Sequence, residues 1–278
     1  MARNVLITGC SSGFGMLSAL TFARRGDTVF ATMRTPSKGA ELERLRGAEK
    51  LPLTVIPLDV TDQASIDGAV AKAESQGGID VLVNNAGYEL LSPVEEAEDD
   101  EVQRQFDTNV FGMVRMIRTV APGMRERGRG AIVNVSSVAG FVSPPYGGFY
   151  AATKHAIEGL SEALHYELSP LGIRVAIIEP GGYDTGFGGN RIPARRFTEG
   201  SPYWERSERY HQAWAGMRQR TPSDPQDVAD AIYDAAYTEA PKLRWLCGAD
   251  ANLIATVRKQ TDFEGFEAAM RQTLNWYD

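Results

Sequence analysis

Val5-Leu6-Ile7-Thr8-Gly9-Cys10-Ser11-Ser12-Gly13-Phe14-Gly15 is the stretch on which the fold turns. Its aliphatic start reads as a buried strand, and a helical pattern begins at Gly15. The glycines at 9, 13 and 15 let the backbone turn tightly between them and let a ligand approach closely. A helix that starts this way presents unpaired N–H groups and a positive dipole end, which suit a diphosphate. The spacing differs from the Gly-x-Gly-x-x-Gly dinucleotide fingerprint. The same loop would also serve as a plain strand-to-helix turn, so the rest of the chain has to decide.

Outward from that loop, short β-branched runs alternate with longer helical patterns. Strands are expected near Val5–Thr8, Thr28–Thr32, Leu53–Leu58, Val81–Asn84, Ala131–Val135 and Arg174–Ile178. Helices are expected near Gly15–Arg25, Lys38–Arg46, Ala64–Ser75, Asp100–Arg127 and Gly147–Leu168. Most of these strands are apolar on both faces, as in a parallel sheet covered on both sides. Right-handed crossovers then give an α/β, doubly wound, mostly parallel sheet, the Rossmann fold. Pro202, Pro222 and Pro225 punctuate a stretch from Gly186 to Ser223 that reads as irregular. A helix near Pro225–Tyr237, a short strand near Leu243–Leu246 and a helical tail follow. No repeat or linker divides the chain, so residues 1–278 are read as one domain, with 186–223 as a substrate-binding loop or lid.

Composition narrows the function. With 278 residues, 36 acidic against 29 basic side chains and a net charge of −7, a nucleic-acid partner is disfavoured. Cys10 and Cys247 are too few for a disulfide framework, which points to a reducing, cytoplasmic setting. No apolar stretch approaches the roughly 20 residues that span a bilayer, and no signal-peptide core follows Met1. No Cys/His cluster has metal spacing, so no catalytic metal is expected. Cys10 reads as a small packing residue. His155, His165 and His211 read as non-catalytic.

Two further features carry chemistry. The second strand ends Phe30-Ala31-Thr32-Met33-Arg34, with Met where a ribose-binding carboxylate would stand and Arg beside it. A guanidinium there can fork onto a 2′-phosphate, which favours NADP over NAD. Tyr150 and Lys154, at i and i+4, share a helix face. A nearby cation stabilises phenolate, so Tyr150 reads as a proton donor or acceptor working near neutral pH.

With the glycine loop, these residues resemble the short-chain dehydrogenase/reductase family, over nearly the whole chain. The matching pieces are Thr8–Gly15, Asp59-Val60, Asn84-Asn85-Ala86-Gly87, Asn109, Ser136-Ser137, Tyr150/Lys154, and Pro180-Gly181 with Thr185. The start of the chain and Ala31–Arg34 are similar to the hydroxysteroid and retinol dehydrogenase-like branch. The resemblance implies hydride transfer between nicotinamide and a secondary alcohol or ketone. Tyr150 would exchange the proton, and Ser137, thirteen residues before it, would hydrogen-bond the substrate oxygen. Lys154 would tune Tyr150 and bind ribose hydroxyls, while Asn109 would hold a relay water. Gly9, Ser11, Ser12, Gly13, Phe14, Gly15 and Arg34 would take the phosphates. Asp59 and Val60 would address the adenine, and Asn85, Ala86 and Gly87 the ribose. Pro180, Gly181 and Thr185 would meet the nicotinamide. A homodimer or homotetramer is the family's habit.

The alternatives are a 3-oxoacyl-thioester reductase and, from another class, a non-catalytic NADP-binding sensor. The stretch 186–223 holds Phe187, Phe197, Tyr203, Trp204, Tyr210 and Trp214, six of the chain's 25 aromatic residues. Those rings predict a sizeable apolar substrate. Its seven Arg against three Glu would instead favour an anionic one, and packing at a subunit interface is the third reading.

Overall fold

The computed structural model describes residues 2–185, 190–220 and 223–275. Its strands are β1 (Asn4–Ile7), β2 (Thr28–Met33), β3 (Leu53–Pro57), β4 (Val81–Asn84), β5 (Glu89–Leu91), β6 (Gly130–Val135), β7 (Ile173–Pro180), β8 (Arg191–Pro193) and β9 (Arg244–Cys247). Its helices are α1 (Gly13–Arg24), α2 (Ala40–Glu49), α3 (Gln63–Glu74), α4 (Asp99–Phe106), α5 (Gly112–Arg127), α6 (Gly148–Leu168), α7 (Trp204–Arg220), α8 (Pro225–Tyr237), α9 (Ala249–Gln260) and α10 (Phe263–Leu274).

Seven strands form one sheet in the order β3-β2-β1-β4-β6-β7-β9, and β5 pairs with β8 in a separate ribbon. Every neighbouring pair in the large sheet is parallel. Alternation along β1 explains why its run is all apolar. Val5 and Ile7 join Phe22 of α1, Leu42 of α2 and Ile232 of α8 in one core. Leu6 points the other way, to Ile66 of α3 and Met116, Val120 and Met124 of α5. The chain order reverses between β1 and β4, and the carboxyl ends of those strands frame the crevice where such sheets bind ligands.

The doubly wound reading therefore stands, with two corrections. The stretch after β7 is not irregular: it contains β8 and the 17-residue α7. Tyr210, Ala213, Trp214 and Met217 repeat at i, i+3, i+4 and i+7, a helical signal that the surrounding charges obscure. The single long helix expected over Asp100–Arg127 is interrupted by a π turn at Asp107–Phe111. That turn carries Asn109, and π turns often mark functional sites. No helix among the described residues is long and apolar enough to cross a membrane.

Candidate active site

The glycine loop is shaped by contact with its neighbour. Gly9 has φ +75°, and a Cβ there would lie 2.9 Å from Ala86 Cα. At Gly15 a Cβ would stand 2.3 Å from the Gly9 carbonyl oxygen, so both positions need a bare backbone. Thr8 Oγ1 accepts the Asn85 and Ala86 N–H groups at 3.0 Å. Asn85 Nδ2 in turn donates to the Thr8 and Gly9 carbonyls, at 2.9 and 3.2 Å. Asn85 thus ties the loops after β1 and β4 together. The α1 N-terminus has no side-chain cap and no acid in its first turn, which leaves its positive end to the cleft.

That cleft has a volume of about 1330 Å³. A single small ligand typically occupies roughly 300–1,000 Å³, so there is room for a dinucleotide and a substrate together. Ser11, Ser12, Gly13, Phe14, Arg34, Asp59, Val60, Ala86, Gly87, Pro180, Gly181 and Thr185 line it, as do Gly9, Asn85, Ser137, Tyr150 and Lys154. Gly15 does not; it lies beneath Gly9. Asn109 is also off the cleft and 2% exposed, beside a small cavity of its own. Its side chain holds the Tyr88 backbone, accepting from the N–H at 3.1 Å and donating to the carbonyl at 2.9 Å, and donates to Thr153 Oγ1 at 3.2 Å. Near Arg34 the structure adds Lys38, a second cation in the cleft wall that the sequence reading missed. An uncapped helix start at one wall, bare glycines and two cations fit a phosphorylated dinucleotide.

At the other end, Tyr150 and Ser137 are in hydrogen-bond contact. Ser137 also caps the short turn at Val138–Gly140, accepting the Ala139 N–H at 3.2 Å. Lys154 Nζ lies 5.4 Å from the Tyr150 ring centre and donates to the Val135 carbonyl at 2.8 Å. Burial drives Lys154 down to about 8, against a partial restoring pull from Glu158. Burial and the Glu89 carboxylate push the Tyr150 phenol above its ordinary value, while Ser137 and Arg191 pull it back. The sequence reading expected Lys154 to lower it. The structure differs because burial of the phenol dominates, with Glu89 adding to it.

Behind Lys154 sits a group of charges that the sequence reading did not single out. Glu158, one turn further along α6, and Glu179 of β7 are 6% and 3% exposed, and their carboxyls meet. Burial and repulsion from Glu158 bring Glu179 up to about 7. Arg244 of β9 reaches Glu158 at 3.2 Å and Glu179 at 3.4 Å. Ser136 Oγ faces this pair across Gly140, a structural place consistent with Ser137 being the residue that meets Tyr150.

The segment that follows β7 divides its rings. Phe197 is buried with Leu90, and Tyr203 and Trp204 pack against them. Tyr210, His211 and Trp214 line the cleft. Phe187 lies outside the described residues. The local excess of arginine is largely neutralised: Arg191 pairs with Glu89, Arg195 with Asp100 and Arg196 with Glu98. His155 Nδ1 donates to the Ala151 carbonyl at 2.9 Å within α6, and the residue does not line the cleft. Cys10 and Cys247 are buried free thiols, each pushed up to about 12 by burial.

Fold and cleft together define a dinucleotide-binding oxidoreductase scaffold. A model of the short chain dehydrogenase family matches residues 3–195. The chain is 38% identical over 253 residues to human retinol dehydrogenase 8, covering 87% of this chain and 80% of that one. It is 43% identical over 188 residues to the 3-ketodihydrosphingosine reductase of Bacteroides thetaiotaomicron, covering 67% and 66%. A short-chain dehydrogenase from Streptomyces avermitilis superposes with a TM-score of 0.79 at 38% identity, over 98% and 99% of the two chains. A Burkholderia phymatum relative in complex with NAD (26% identity, TM-score 0.79, 93% of each chain) and a Burkholderia cenocepacia gluconate 5-dehydrogenase with NADP (25%, 0.74, 90% and 95%) share the fold. The chain belongs to the short-chain dehydrogenase/reductase family.

Proposed function

We propose that this protein is an NADP(H)-dependent oxidoreductase acting on a secondary alcohol or ketone attached to a bulky apolar body. The observation that carries the reading is one continuous cleft with Arg34 and Lys38 at one end and Ser137, Tyr150 and Lys154 at the other. A nicotinamide bound between them supplies or accepts the hydride. In the reducing direction Tyr150 gives its phenolic proton to the substrate oxygen, and Ser137 donates a hydrogen bond to the charge developing there. Lys154 holds positive charge behind the phenol and offers its ammonium to ribose hydroxyls. Tyr210, Trp214, Val142, Ile254 and Phe266 supply the apolar wall, on parts of the chain that come together over the strand ends. The names of two relatives, a retinol dehydrogenase and a ketodihydrosphingosine reductase, agree with an apolar substrate.

The test is loss of NADPH absorbance with long-chain ketones and an acetoacetyl thioester, in wild type and Tyr150→Phe. Wild type should turn over the ketones, and the variant should lose about 10²–10⁴ in rate while binding NADPH as before. Preference for the thioester would replace the substrate class. NADPH binding with no turnover of any compound would favour the sensor reading. Phe111 before α5 and Leu160 and Tyr166 on α6 are exposed at 52%, 42% and 71%, apolar surface that a pairing of subunits through α5 and α6 would cover. A dimer or tetramer in sedimentation belongs to the same proposal.

A further inference from the structure

Glu89 is a charged side chain where an apolar cleft has no evident use for one. It is 7% exposed, yet it lines the cleft beside Tyr150, Tyr210 and His211. Burying a carboxylate is costly unless partners hold it. Two do so here. The β5–β8 pairing sets Glu89 opposite Arg191, whose Nε donates to Oε2 at 2.8 Å. The other oxygen, Oε1, lies over Gly147 at the start of α6, where a Cβ would come within 3.2 Å of it. The positive end of α6 thus adds to the pull of Arg191.

The hydrogen bond from Arg191 is made to Oε2 and not to Oε1. Gly147 caps the start of α6 three residues before Tyr150, so Glu89 and Tyr150 meet the cleft at the first turn of the same helix. Glu89 also acts on the Tyr150 phenol electrostatically, in the direction that hinders phenolate. Its presence therefore does not serve proton abstraction by Tyr150. His211 cannot answer the charge: burial and Arg191 hold it toward the neutral form, and its Nδ1 lies 2.8 Å from the Ser207 carbonyl. What remains is a carboxylate acceptor that lines the same cleft as Tyr150, Ser137, Leu90 and Tyr210.

We propose that Glu89, held by Arg191, is a specificity-determining residue that accepts a hydrogen bond from a hydroxyl or ammonium on the carbon next to the reacting one. The substrate class is then an amphiphile: an α-hydroxy or α-amino ketone, or the corresponding alcohol, with an apolar tail along Trp214, Ile254 and Phe266. This rests on the oxidoreductase reading above and adds the polar head to it. A site built to bind a donor rejects an analogue that lacks it, because the acceptor is then left buried and unpaired.

The experiment compares kcat/KM with NADPH for 2-dodecanone, 1-hydroxy-2-dodecanone and 1-amino-2-dodecanone, in wild type, Glu89→Gln and Glu89→Ala. Wild type is expected to favour at least one of the two donor-bearing ketones by roughly ten- to 150-fold, the span of a hydrogen bond to a charged group. Glu89→Gln should abolish a preference for the amine, and Glu89→Ala a preference for either, to within about threefold. Unchanged melting temperature and NADPH affinity show that the variants fold. A merely structural Glu89 would move all three substrates together and leave the ratios intact, which overturns the inference. So does a wild type that turns over 2-dodecanone as well as its substituted partners, with the oxidoreductase reading untouched. Absence of turnover on all three would remove both.

Discussion

Replacing Arg34 by Ala should separate the two nicotinamide dinucleotides. Arg34 follows the last residue of β2, is exposed, and lines the cleft. Among the described residues it makes no ion pair, so its loss removes nothing inside the fold, and stability should move by no more than about 0.5 kcal/mol. Its guanidinium can meet a 2′-phosphate with two parallel hydrogen bonds. A hydrogen bond to a charged group contributes about 1.5–3 kcal/mol. Solvent exposure weakens that through screening, which brings the expectation to about 1–2 kcal/mol, or roughly five- to thirtyfold in Kd. Lys38 remains to hold part of the phosphate, so the double variant should lose more than either single one. Fluorescence titration with NADPH and NADH at two ionic strengths measures this. NADPH should weaken by the stated factor, NADH should stay within about twofold, and added salt should narrow the wild-type difference. Equal losses for both nucleotides would refute the phosphate role and make Arg34 a support of the loop.

Three other outcomes follow from the site. Lys154 has its folded value depressed to about 8, so its favourable contribution is present above the ordinary 10.5 and lost as pH falls through 8. Lys154→Met should therefore abolish most activity yet stabilise the nucleotide-free protein at pH 7, by at most about 3 kcal/mol, with the gain shrinking by pH 10; urea unfolding that shows a less stable variant at both pH values contradicts this. Glu179 has the opposite sign: raised to about 7, its contribution is full below the ordinary 4.5 and lost as pH rises through 7. Glu158→Gln removes the repulsion that helps raise it, so unfolding midpoints should fall less between pH 5 and 7.5 than in wild type, and an unchanged slope would count against that repulsion. Trp214→Ala should raise KM for a twelve-carbon ketone by roughly five- to thirtyfold, from about 1–2 kcal/mol of lost apolar contact for a half-buried ring, and leave a four-carbon ketone nearly unaffected.

Much of this protein was written locally in its sequence. Val5–Gly15 carries its own instructions, because a buried strand, bare turns and a helix start each depend on neighbours within a few residues. Tyr150 and Lys154 share a face by helix geometry alone, whereas the spacing of Tyr210, Ala213, Trp214 and Met217 in α7 was masked by the charges and prolines around it. The two glutamate sites were not. Glu89 finds Arg191 102 residues away through the pairing of two three-residue strands, too short to show a period. Glu158, Glu179 and Arg244 come from a helix and two strands whose adjacency is set by crossovers. A charge in a sequence reads as solvated until the fold removes its water. Only the tertiary structure decides which carboxylates are buried, what they must then bind, and that burial and Glu89 raise the Tyr150 phenol where the sequence suggested a lowering.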